Sequence, residues 1–147
     1  MAVTIMNVSR GMWGYYASLP AANDAILAVP LESSGLEGTS TLQDYDTLSA
    51  LLAGASNEQT TMARKVVTGV TYSLDDSGNK RVFDFDDVEW TSASGSGVGG
   101  LLICYDPDTT GGSDSDIIPM FFDDSFVNAS PTGTVTYAVH ASGLAEA

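Results

Sequence analysis

The sequence predicts an all-β protein: a β-sandwich, jelly-roll or immunoglobulin-like in broad terms, with a short helical insertion around residues 42–54. Three observations carry that expectation. Short runs of β-branched and aromatic residues recur along the chain, separated by clusters of Gly, Asp, Asn and Ser, the punctuation of strands joined by tight turns. The best helical stretch, TLQDYDTLSALLAGA (residues 41–55), is short, with Leu48, Leu51 and Leu52 three and four positions apart. The length, 147 residues, suits one domain that buries a core without disulfides or metals. A single sandwich domain over residues 1–147 is therefore expected, with residues 1–20 as an N-terminal arm or interface strand.

The elements follow in order. Residues 3–8 (VTIMNV) read as a strand, and residues 13–17 (WGYYA) as a second extended, aromatic piece. AILAVPL (residues 25–31) reads as a strand whose Pro30 places it at an edge or an end, because proline donates nothing to a ladder. In the helical insertion Asp44 is the expected cap and Gly54 the stop. VVTGVTYSL alternates Val70, Tyr72 and Leu74 against Thr71 and Ser73, and the turn cluster DDSGN, with Gly78 and Asn79 able to take positive φ, joins it to RVFDF. Residues 66–85 are thus expected as a hairpin.

FDFDDVEW changes phase. Phe83 and Phe85 share one parity and Val88 and Trp90 the other, so the chain must bulge or turn near Asp86 and Asp87 to bury both pairs. SASGSGVGG (residues 92–100) reads as a flexible loop, and the wholly apolar LLICY (residues 101–105) as a central strand. IIPMFF (residues 117–122) forms the next strand. Residues 134–141 alternate Val135, Tyr137 and Val139 against Thr136, Ala138 and His140, the pattern of a half-buried strand. The tail SGLAEA (residues 142–147) reads as loose.

Charge excludes several functions. Nineteen acidic residues stand against five basic ones, a formal net charge of −14. Such a surface repels phosphate backbones and acidic membranes, so neither nucleic acid nor membrane is an expected partner. The cations fall at Arg10, Arg64, Lys65, Lys80 and Arg81. The single cysteine, Cys104, excludes an internal disulfide and fits synthesis in a reducing cytoplasm. No run suits a signal peptide or a membrane span, so a soluble chain is expected.

Catalytic chemistry finds little support. A nucleophile needs a base beside it, and the only histidine, His140, lies on a polar strand face while Cys104 sits in LLICY as a small buried hydrophobe. One Cys and one His cannot build a zinc site. A glycosidase pair drawn from Asp87 or Glu89 with Asp123 or Asp124 is conceivable, but nothing marks those carboxylates out from a hydrated acidic face. No cofactor is expected.

The one metal candidate is the loop in YDPDTTGGSDSDIIPMFF (residues 105–122). Asp106, Asp108 and Gly111 match the first, third and sixth positions of an EF-hand loop, but Ile117 stands at the twelfth, where a bidentate carboxylate belongs. Asp114 and Asp116 lie in GGSDSDI, similar to a β-roll calcium repeat, but in one copy and with Asp114 in place of a glycine. Asp106, Asp108, Asp114 and Asp116 are therefore weak calcium ligands, and the loop is expected to be a hydrated acidic connector.

Taken together, GMWGYYASLPAANDAILAVPLESSGLEG, DYDTLSALLAG, TMARKVVTGVTYS, DFDDVEWTSASG, LLICYDPDTTGGSDSDIIPMFF and VTYAVHASGL cover nearly the whole chain. In these stretches it resembles small virion proteins of tailed bacteriophages, of the capsid decoration or cement type. The resemblance implies a non-enzymatic, β-rich protein on the outer surface of the virion. It implies binding to the major capsid protein and self-association as a homo-oligomer, a trimer being favoured. It names no catalytic residues. Binding would need apolar or locally basic patches, and Arg10, Met12, Trp13, Tyr15 and Tyr16 are the interface candidates, the aromatics having core packing as their alternative. A tail or head-fibre component, and a calcium-stabilised carbohydrate-binding sandwich, are the competing expectations.

Overall fold

Residues 3–146 are described by a computed structural model; Met1, Ala2 and Ala147, part of the expected arm and of the expected loose tail, lie outside the described residues. Strands β1 (Val3–Ile5), β2 (Ala25–Glu32), β3 (Lys65–Val66), β7 (Val98–Asp106) and β8 (Ile118–Asp123) form a five-stranded sheet in the order β1-β8-β7-β2-β3. All its pairings are antiparallel. Strands β4 (Thr71–Asp75), β5 (Lys80–Asp84) and β10 (Ala145–Glu146) form a second sheet, β10-β5-β4, while β6 (Val88–Ala93) pairs with β9 (Gly133–Tyr137) in a third. Helices α1 (Trp13–Ala17), α2 (Thr39–Leu42) and α3 (Leu48–Ala53) are all short. The fold is all-β with small helical insertions.

The large sheet is covered on both faces. Ile26, Ala28, Leu101, Ile103, Tyr105, Met120 and Phe121 pack with Phe83, Phe85, Val88, Trp90 and Tyr137 from the two small sheets. The alternate residues Leu27, Val29, Leu31, Leu102 and Cys104 pack with Leu42, Leu48 and Leu51 of the helical insertion. A strand buried on both faces needs apolar residues at every position, which is why β2 and β7 read as continuous greasy runs.

Several expectations change. Residues 13–17 are helical, not extended: Trp13, Tyr16 and Ala17 pack towards the core at helical spacing while Tyr15 points out, whereas a strand would have grouped Trp13 with Tyr15. Residues 3–8 divide into β1 and a 3-10 turn, Asn7–Ser9. The N-terminal segment is woven into the body rather than standing off as an arm, since β1 pairs with β8 and Trp13 sits edge-on to Phe121 at 4.9 Å.

Pro30 lies inside an interior strand. Its carbonyl accepts from the Gln59 amide at 2.9 Å, on the side where short β3 has already ended, so its missing N–H breaks no ladder. The helical cap is Thr47, whose hydroxyl accepts from the Ala50 amide, and Asp44 instead receives the Asn7 side-chain amide at 2.6 Å. The hairpin begins at Thr71, Val66 belonging to the other sheet. In its loop Asn79 takes positive φ, at 52°, while Gly78 does not, and Asp75 accepts from Ser77 and Gly78. The phase change in FDFDDVEW is the crossing from the second sheet to the third at Phe85–Asp87, and it does bury Phe83, Phe85, Val88 and Trp90 in one core.

The loop expected over residues 92–100 shrinks to Ser94–Gly97, because Val98, Gly99 and Gly100 are already strand. Gln59, buried, holds it by donating to the Ser94 and Ser96 carbonyls at 2.7 and 2.8 Å. Gly100 leaves room for the Phe122 ring, which any side chain there would strike. The tail is ordered into β10 on β5, with Leu144 and Ala145 buried.

Candidate functional site

The acidic loop is held by internal bonds. Asp106 accepts from the Asp108 amide at 3.0 Å, Asp108 from the Thr110 amide and hydroxyl, and Asp116 from the Ser113 amide. Asp114 turns away to Arg64, meeting it at 2.7 and 3.0 Å, and Arg64 grips Glu58 with its other donors at 2.8 and 2.7 Å. Arg64 holds the Asp114 carboxyl below the usual range, and the hydrogen bonds from Thr110 do the same for Asp108. The loop carbonyls of Asp114 and Ile117 accept from Ser49 and Leu48, amides of the first turn of α3 left without partners inside the helix. The loop therefore clamps the helical insertion. Among the described residues no three metal-ligating side chains converge.

The groups weighed for catalysis stand apart. Cys104 is wholly buried beneath the insertion, and burial pushes its thiol well up, the opposite of an activated nucleophile. His140 is exposed and bonds Ser142 at 2.7 Å, lining a shallow cavity of about 300 Å³ with Val3, Ile5 and Leu144. Asp123 is buried and accepts from Tyr137 at 2.7 Å, joining the five-stranded sheet to β9, and burial followed by that bond raises the Tyr137 phenol. Asp87 accepts from the Val139 amide at 2.8 Å.

A different surface emerges where α1 crosses the β4–β5 hairpin. Gly14 permits the approach, since a Cβ there would lie 2.8 Å from the Tyr72 ring. Hairpin register sets Leu74 opposite Arg81 and Tyr72 opposite Phe83, so these residues share the face that α1 partly covers. The Arg81 guanidinium lies over the Tyr72 ring, 5.7 Å from its centre. Ile5, Arg10, Gly11, Trp13, Tyr72 and Arg81 line a groove of about 220 Å³. Beside Arg81 on the hairpin Leu74 is 54% exposed, and on the N-terminal segment Met12 and Tyr15 are exposed as well.

The interface candidates thus divide. Arg10, Met12 and Tyr15 are open to a partner. Trp13 is core at 5% exposure, and Tyr16 is half-buried, stacked on Tyr105 at 4.6 Å. Sequence reading missed Tyr72, Leu74 and Arg81 as members of the same surface. The signal was present: a DDSGN turn with Asp75 opposite Lys80 puts Leu74 opposite Arg81 by counting alone. What no local pattern revealed was that α1 lies against this hairpin.

No protein-family model, no curated protein and no solved structure matches this chain.

Proposed function

We propose that the chain is a non-enzymatic virion structural protein, a decoration or cement protein that binds the outer surface of a tailed-phage head and stabilises contacts between major capsid subunits. One observation supports this most: exposed Tyr72 and Leu74 stand with Arg10 and Arg81 at one groove of an otherwise strongly acidic body. Apolar anchors beside guanidinium groups are the composition of a protein-binding face rather than of a reaction centre. The net charge of −14 keeps free copies apart and away from packaged DNA, so attachment falls to this local exception. Self-association as a trimer at a threefold position belongs to the same proposal.

The test adds purified protein to expanded capsids that lack it and measures co-sedimentation and the temperature at which the shells rupture. Stoichiometric binding with a raised rupture temperature is expected, and neither effect appearing removes the proposal. Labelled protein on intact particles separates head decoration from a tail or head-fibre position, because label on the tail or on sparse spikes contradicts the former. Light scattering checks the trimer.

A further inference from the structure

Arg10 and Arg81 stand in a chain with nineteen carboxylates, yet among the described residues neither has an ion-pair partner. Arg64, by contrast, holds Glu58 and Asp114 together. Arg10 donates only to the neutral Asn7 side chain, at 3.0 Å, and Arg81 rests on the Tyr72 ring. Both line the same groove, whose remaining walls are Ile5, Gly11, Trp13 and Tyr72. Trp13, on the wall of the groove, has a buried indole N–H with no acceptor among the described residues. A buried donor left unmatched is costly and uncommon in a finished fold.

Tyr72, on the wall of the groove, belongs to a strand with an open edge. β4 pairs with β5 on one side, and among the described residues nothing pairs with it on the other. The remaining outer strands of its own and the large sheet, β1, β3 and β10, span three, two and two residues, whereas β4 spans five, with Asp75 its only charge. Edges are normally protected by brevity, lysine, proline or a bulge, and Thr71–Leu74 has none of the last three.

We propose that this groove takes an extended acidic segment of the partner protein, in which an apolar side chain is flanked by carboxylates. The apolar side chain fills the space against Ile5, Trp13 and Tyr72, the flanking carboxylates meet Arg10 and Arg81, and the segment's backbone adds to the edge of β4. Charge decides against a second copy meeting this face symmetrically, because that would set Arg10 and Arg81 against their own counterparts in a pair already repelling at −14 each. The proposal rests on the decoration role only for which protein supplies the segment.

The two indole N–H signals of the ¹⁵N-labelled full chain provide the readout, since Trp90 is tied to the Ala63 carbonyl at 2.9 Å and serves as the internal reference. The probe is the blocked pentapeptide acetyl-Thr-Glu-Phe-Glu-Thr-amide. The Trp13 signal is expected to move saturably while Trp90 stays, with at least tenfold weaker binding for the Gln analogue of the peptide and for the double variant R10E/R81E. The Glu-to-Gln comparison needs no variant, so misfolding of the double variant leaves the test intact. An unmoved Trp13 signal, equal binding of the Gln peptide, or phenylacetate binding as tightly as the peptide overturns the proposal. So does self-association that R10E/R81E abolishes, which would assign the groove to another copy. Peptide binding without capsid binding supports the groove and removes the decoration role; capsid binding with a silent Trp13 does the reverse.

Discussion

Arg64 and Arg81 stand in the same acidic chain but serve opposite ends. Around Arg64 everything closes inward: two carboxylates hold one guanidinium, loop carbonyls cap α3, and Leu42, Leu48 and Leu51 are fully buried. Around Arg81 the same kinds of residue are left open: Tyr72 and Leu74 are exposed, and among the described residues the guanidinium has no ion pair and the edge of β4 no partner strand. Acidic density alone therefore does not mark the open side. The run of aspartates between Asp106 and Asp116 belongs to the closed region, and Arg10 and Arg81, without an ion pair among the described residues, line the groove of the open one.

The contrast breaks most readily at the insertion. Leu48→Ala removes a side chain with no exposure, and a loss of about 2–5 kcal/mol in urea unfolding is expected; a loss below 1 kcal/mol would show that the insertion is loosely docked. Arg64→Met leaves Glu58 and Asp114 facing each other with partial burial, for an expected loss of about 1–3 kcal/mol at pH 7. Asp114 titrates below its ordinary range in the folded chain, so its contribution is complete above a pH of about 4 and fades as pH falls through the depressed value. Unfolding midpoints of wild type and variant should converge on acidification, and a constant gap would deny the ion pair its role.

On the open side the signs change. Leu74→Ser, at a position already 54% exposed, is expected to shift stability by no more than about 0.5 kcal/mol while weakening capsid binding clearly. A large stability loss with unchanged binding would make Leu74 part of the core instead. The smallest effect concerns the acidic loop. Millimolar calcium or a chelator should leave the melting temperature where it is, because Asp106, Asp108, Asp114 and Asp116 are directed to separate internal partners. A calcium-dependent rise would return the loop to the metal sites.

Much of the fold was legible because its signals are local. The wholly apolar LLICY marked β7 as interior, the DDSGN turn set the β4–β5 hairpin, and the parity break in FDFDDVEW located a turn that proves to be a change of sheet, whereas Pro30 pointed β2 to an edge although it lies between β7 and β3. The errors arose where period and composition conflict. WGYYA suits strand propensity but turns helically, because only that spacing puts Trp13 and Tyr16 on the core side while Tyr15 stays out. The glycines of residues 97–100 suggested a loop, but Gly100 is strand because Phe122 needs the space beside it.

The sequence by itself determined the all-β class, the interior place of LLICY, the short helical insertion and a charge that disfavours nucleic acid. These follow from residue periodicity and composition, which need no knowledge of distant neighbours. Only the tertiary structure decided which arginine is closed and which is open. Arg64 meets an aspartate fifty positions away, and Arg81 meets none while sharing a groove with Arg10 and Trp13. Pairing of this kind is fixed by how the insertion and α1 lie against the sheets, and that arrangement maximises buried apolar surface over the whole chain rather than over any one segment.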